Sequence, residues 1–347
     1  MREWGRSLAG TLGAPEWVGQ VALMFIGAIG VFLIMALAAL AFVWLERKVA
    51  GRIQSRYGPN RAGKFGLLQT LADAVKLLLK EDIIPAAADR RLFILAPYIV
   101  FIATFAAFVV IPWSGKLYIS DLNVGILYLI AMGSFVVVGI LMAGWASNNK
   151  WSLLGAMRAA AQIVSYEVPV ALAILTVIVL AGTMNMREIQ EAQSGWIWKW
   201  HVFQSPFTFL AFFLYFVGSI AEANRTPFDM PEAEQELTAG FHTEYSGMRW
   251  AFFFLAEYGN LLLVSLVAAV LFLGGWNVGI PGVPIPGPIV LAAKAVLLVL
   301  LQMWLRWTLP RLRVDQVMAV CWKYLMPLSF GTLIGAGAWR MFFPGAA

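Results

Sequence analysis

Long uncharged runs separated by short charged stretches set the pattern of this chain. Trp17–Leu45 runs 29 residues without a charged side chain, Leu92–Gly115 runs 24 and Leu122–Asn149 runs 28. About 20 helical residues cross the hydrocarbon core of a bilayer, because a helix rises about 1.5 Å per residue. The pattern predicts an all-α integral membrane protein, a single polytopic domain over residues 1–347. About eight transmembrane helices are expected, at 17–45, 92–113, 122–146, 159–182, 205–222, 250–273, 288–306 and 324–343. Arg2 and Arg6 precede a first run longer than the core of about 7–15 residues that a signal peptide carries. That run is expected to be the first membrane helix. Between the first two spans, Gly66–Lys80 (GLLQTLADAVKLLLK) has a different period. Leu67, Leu68, Leu71, Val75, Leu78 and Leu79 share one helical face, while Asp73, Lys76 and Lys80 lie elsewhere. This predicts a short amphipathic helix lying in the membrane interface.

Composition agrees with the pattern. Of 347 residues 61% are hydrophobic and 13% charged, against about 25% charged in ordinary soluble domains. The net charge of +6 reads as topology and not as a nucleic-acid surface. The charged loops expected at about 46–91, 147–158, 223–249 and 307–323, with Arg306 at the edge of the last, hold 18 of the 25 lysines and arginines. Cytoplasmic loops retain such residues. These loops are therefore expected on the cytoplasmic or matrix side, and both termini on the periplasmic side.

Candidate chemistry is narrow. One cysteine, Cys321, allows neither an internal disulfide nor a cluster needing about four thiolates. His201 and His242 fall in loops on opposite predicted sides, so they cannot jointly ligate a haem. No phosphate-cradling GxxxxGK[ST] loop occurs, and no GxGxxG follows a strand. The chain is expected to bind no metal, flavin or nucleotide, leaving such chemistry to other subunits.

The carboxylates are the informative residues. Glu167 and Glu257 lie nine and eight residues past Arg158 and Arg249, roughly 12–14 Å into their spans, and Glu222 ends the fifth span. A charge at mid-bilayer costs about 2.5–3.5 kcal/mol on insertion scales, so such groups face a cavity or partners and commonly serve proton paths. The bland alternative is a structural ion pair. Glu222, Asp229, Glu232, Glu234, Glu236 and Glu244 crowd a stretch with one arginine, Arg225. Crowded carboxylates titrate as a coupled set. A free-standing proton or cation transporter would use these carboxylates too, but no internal repeat or pair of broken helices supports it.

Two long segments carry a resemblance. Glu46–Ala88 (ERKVAGRIQSRYGPNRAGKFGLLQTLADAVKLLLKEDIIPAAA) and Ala221–Tyr245 (AEANRTPFDMPEAEQELTAGFHTEY) are similar to the two signatures of the H-subunit family of respiratory complex I. Gly144–Lys150 (GWASNNK), Met157–Glu167 (MRAAAQIVSYE), Ala256–Tyr258 (AEY) and Pro310–Gln316 (PRLRVDQ) follow in family order, with Val314 where the family usually has tyrosine. The resemblance implies a membrane subunit of a proton-translocating NADH:quinone oxidoreductase. It implies quinone as substrate, FMN and iron–sulfur clusters on partner subunits, and no cofactor bound by this chain. Peripheral-arm quinone-site subunits, small and antiporter-like membrane subunits, and lipid are the implied partners. An energy-transducing membrane, bacterial or mitochondrial, is the implied location. By position it assigns Glu46, Arg47, Asp73 and Phe228 to the quinone chamber and its mouth, and Asp229, Glu232, Glu234, Glu236 and Glu244 to an acidic loop beneath. Glu167, Glu222 and Glu257 become a proton relay, with Arg158, Arg225, Arg306 and Arg311 as counter-charges. Energy-converting hydrogenases carry a related subunit and stand as the alternative.

Overall fold

A computed structural model describes residues 15–231 and 234–343, the side chains of Glu16, Glu234 and Gln235 excepted. In chain order the principal helices are α1 (Glu16–Ile53), α2 (Gln69–Leu79), α3 (Arg90–Phe108), α4 (Gly125–Ala146) and α5 (Lys150–Ala181). There follow α6 (Met186–Ala192), α7 (Pro206–Glu222), α8 (Gly247–Phe272), α9 (Gly287–Thr308) and α10 (Val314–Phe342). Among the described residues there is no strand. All but α2, α6 and α7 are long and apolar enough to cross a membrane. The fifth predicted span, α7, has 17 residues and reaches about 25 Å. The protein is a multi-pass membrane protein.

The helices outrun the apolar stretches that betray them. α1 continues past Leu45 to Ile53, α5 begins at Lys150, and α10 begins at Val314 with a π-turn over Cys321–Leu325. Arginine, lysine and glutamate are good helix formers, so leaving the lipid does not end a helix. Glu46 and Arg158 therefore stand on rigid helix. Caps set the true starts. Asp89 accepts from the Arg91 and Leu92 amides at the head of α3, and Asn149 from the Trp151 amide at the head of α5.

α8 is the central helix: most of its apolar stretch is buried inside the bundle, whereas little of α1 is. Lipid is as apolar as leucine, so helices associate here through close fit at small residues. Added methyls at Gly144 and Gly218 would stand 2.3 Å from Ala156 Cβ and from a Val170 methyl. Two prolines add directed contacts. Pro97 in α3 and Pro169 in α5 lack the N–H that would bond the carbonyl four residues back. Those carbonyls, of Phe93 and Ser165, accept the Tyr245 hydroxyl at 3.2 Å and the Cys321 thiol at 3.0 Å. α2 is held to α1 by Arg47–Asp73 at 2.5 Å, and its Leu71, Val75, Leu78 and Leu79 are exposed, as an interfacial helix requires.

Candidate functional site

Four elements converge at the end of the bundle that carries the charged loops. α7 ends on Asn224 in the left-handed conformation (φ 51°), with the Asn224 amide bonded to Ala221 and the Arg225 amide to Ile220. This is the Schellman closure, and asparagine tolerates it better than most residues. It turns Arg225 inward. There Nη1 of Arg225 donates to both carboxylate oxygens of Glu46 at 3.0 and 3.1 Å. Glu46, on α1, also accepts from Arg306 on α9 and from the Tyr258 hydroxyl on α8 at 2.7 Å. Nη2 of Arg225 lies 2.9 Å from Glu257 on α8, a charge contact without hydrogen-bond geometry. The guanidinium also sits 4.4 Å over the Tyr258 ring. Two acids and two arginines thus form one network, buried at Glu46 and Arg225 and partly exposed at Glu257 and Arg306.

Two cavities touch this network, and a third shares Glu222 with one of them. A 490 Å³ cavity is lined by Glu46, Arg47, Tyr57, Tyr258, Arg306 and Trp307. The α1 end closes on it tightly, since a methyl on Gly51 would stand 2.8 Å from the Gly58 amide. A 50 Å³ cavity takes Glu257, Glu222, Asn224, Asn260 and His242. A 40 Å³ cavity takes Glu222, Glu167, Asn260 and Tyr215. One water needs about 10–15 Å³ by this kind of measure, so both smaller cavities have room for it. Glu167 accepts from Ser134 at 2.5 Å, and the Asn260 amide donates to the Glu222 carbonyl at 3.3 Å.

The sequence-derived assignments divide accordingly. Glu46 and Arg47 line the large cavity, and Asp73 reaches it through Arg47. Phe228 is buried against Tyr166, at 5.2 Å between ring centres, and is not among the residues lining that cavity. Glu257, Glu222 and Glu167 line the two small cavities in succession, while Arg225 and Arg306 hold Glu46. In the acidic segment, Glu236 pairs with Arg158 at 2.5 Å and Glu244 accepts from Asn149 at 2.6 Å. Arg311 adds its positive field at Glu236. Asp229 is partly buried; Glu232 and the Glu234 side chain lie outside the described residues. The Arg158 guanidinium holds the Glu236 carboxyl below the usual carboxylate range. Burial pushes the His242 imidazole down to about 4 and the Tyr245 phenol up.

Tyr258, Ser134, Asn149 and His242 were not among the residues that sequence reasoning assigned. Tyr258 adjoins Glu257 within the AEY motif and could have been read with it. Ser134 had a weaker signal, a hydroxyl inside an otherwise apolar span.

A family model described as NADH dehydrogenase matches residues 26–336. The chain is 46% identical to the H subunit of the NADH-quinone oxidoreductase of Chlorobium luteolum, over 99% of this chain and 95% of the relative. It is 48% identical to the corresponding protein of Anaeromyxobacter dehalogenans, over 86% of this chain and 77% of the relative. With that of Bacteroides thetaiotaomicron it shares 50% identity over 88% of each. A family match over most of the chain and identities of this size over most of both chains show that the chain belongs to the family of H subunits, the membrane subunits of the enzyme complex NADH-quinone oxidoreductase.

Proposed function

We propose that this chain forms much of the quinone-binding chamber and couples quinone reduction to proton translocation through Glu257, Glu222 and Glu167. One observation carries the reading. The 490 Å³ cavity is joined through Glu46, Arg225 and Glu257 to two smaller cavities that share Glu222. The large cavity takes the quinone headgroup, with Glu46, Arg47 and Arg306 at its wall and Asp73 fixing Arg47. Peripheral-arm subunits bearing FMN and iron–sulfur clusters supply the electrons, and antiporter-like subunits receive the proton-coupled change. The charged loops face the cytoplasm or matrix, where the peripheral arm docks, and the termini face the other side.

Reducing a quinone to a quinol takes up two electrons and two protons, so charge in the chamber changes at every turnover. Two unit charges 4 Å apart interact by about 4 kcal/mol at an effective dielectric of 20. Such a change is felt through Glu46 and Arg225 at Glu257. The relatives' names favour this quinone enzyme over the hydrogenase alternative. The contact of Glu257 with Arg225 gives that one acid a structural part as well, whereas Glu222 and Glu167 make no ion pair among the described residues.

Glu222→Gln and Glu257→Gln test the reading. Each should leave the complex assembled and able to oxidise NADH with an artificial acceptor, chemistry that belongs to other subunits. Quinone reduction and linked proton pumping should fall by at least about a hundredfold, the low end of what a positioned proton-transfer group contributes. Full pumping in both variants refutes the relay; loss of assembly assigns these acids to structure.

A further inference from the structure

His242 closes a short 3-10 turn, Gly240–His242, in the loop between α7 and α8. Its ring stands edge-on to Phe241 at 5.0 Å and to Trp250 at 6.3 Å between ring centres. It lines the 50 Å³ cavity that Glu222 and Glu257 share, and it is partly exposed. Among the described residues, neither ring nitrogen has a hydrogen-bond partner. Backbone packing fixes this turn in place. The Gly240 Cα and Phe241 amide lie so close to α5 that a methyl on Gly155 would stand 2.9 Å from each.

An imidazole with both nitrogens unpartnered, beside a cavity that holds two carboxylates, has a specific capability. It accepts a proton on one nitrogen and releases another from the second, so it can pass a proton without keeping it. We propose that His242 is the proton-carrying residue through which the cavity of Glu222 and Glu257 exchanges protons with the charged-loop side. The inference rests on the relay reading above and names its point of entry. Hydronium on the charged-loop side gives up the proton that forms one N–H bond, the N–H bond at the other nitrogen breaks as a cavity carboxylate gains its proton, and the neutral ring, left as the opposite tautomer, rotates to start again. The titratable groups that face it across the cavity are Glu222 from α7 and Glu257 from α8; α4 and α5, packed against the turn, contribute none to the lining. Burial lowers its basicity to about 4, which favours the neutral ring, carrying a single N–H, between transfers.

The test uses the whole complex in proteoliposomes, with co-purification of the other subunits as the measure of assembly. His242→Gln keeps size and polarity but cannot be protonated near neutral pH. It should slow quinone-linked pumping by at least about tenfold, below the usual contribution of such groups because water can substitute in part. His242→Ala should slow it similarly and regain several-fold when imidazole is added, but not when acetamide is added. Unchanged pumping in His242→Gln overturns the proposal, and so does a slowed His242→Ala that imidazole fails to restore. If His242→Ala does not assemble, His242→Gln decides alone. Glu222→Gln and Glu257→Gln are measured alongside: normal pumping in both sinks the relay itself, whereas loss there with unchanged His242→Gln sinks this inference alone.

Discussion

Arg225 and Arg158 both neutralise carboxylates, yet their surroundings give them unequal weight. Arg225 is 3% exposed and stands between Glu46 and Glu257, whereas the Glu236 side chain paired with Arg158 is 53% exposed. Removing one partner of a buried ion pair costs about 3–5 kcal/mol, because the remaining charge keeps its desolvation penalty. Exposed pairs contribute about 0–1 kcal/mol and are screened by salt. Arg225→Gln should therefore lower the melting temperature of the complex sharply or prevent assembly, while Arg158→Gln should change it little. The Glu236 contribution has a definite sign with pH. Its carboxyl is held below the ordinary range, so its small stabilisation is present above about pH 4.3 and fades as pH falls through the lowered value. Thermal melts at several pH and salt values separate the two arginines. Equal effects would contradict the burial argument. That Glu46 is held by Arg225 and Arg306 was not legible in the sequence, because the partners lie 179 and 260 residues away and meet only when four elements converge. The acids themselves were legible, since a carboxylate inside an apolar run stands out against it.

Among the helices, contact geometry and not apolar character decides what each position tolerates. A methyl on Gly155 would meet backbone atoms of the 240–241 turn at 2.9 Å, whereas one on Gly337 in α10 would meet nothing within 4 Å. Gly155→Ala should therefore cost about 1–3 kcal/mol and push the turn with His242 and Glu244 off α5. Gly337→Ala should stabilise by about 0.5–1 kcal/mol, the usual gain inside a helix. Melting temperatures and hydrogen exchange over residues 240–245 read both effects, and equal shifts would refute the close approach. The same contrast explains where hydropathy stops being informative. Uncharged length located the spans and the period of Leu71, Val75 and Leu78 located α2, because lipid imposes both patterns. The helical ends at Lys150 and Val314 carry no such mark, and the 17-residue α7 is set by the Ser205–Thr208 capping box and by Asn224.

Across the whole molecule, the loops 46–91, 147–158, 223–249 and 307–323 together hold most of the lysines and arginines, and the proposed orientation rests on that asymmetry. Ser55, Thr238 and Ser194 are exposed positions on loops that the topology puts on opposite sides. In intact cells an impermeant thiol reagent should label Ser194→Cys and spare Ser55→Cys and Thr238→Cys, and inverted vesicles should reverse the result. Labelling of Ser55→Cys or Thr238→Cys from outside would overturn the orientation. The two proline-freed carbonyls add an order in time to this order in space. Their donors, Tyr245 and Cys321, follow Phe93 and Ser165 by 152 and 156 residues. A ribosome delivering the chain from its N-terminus thus makes α3 and α5 long before either donor exists, and around Ser165, inside its span, lipid provides no water to stand in. The first half of the protein waits with two open acceptors. Its helices become fully satisfied only when the acidic loop and α10 arrive, so completion of the bundle is coupled to completion of synthesis.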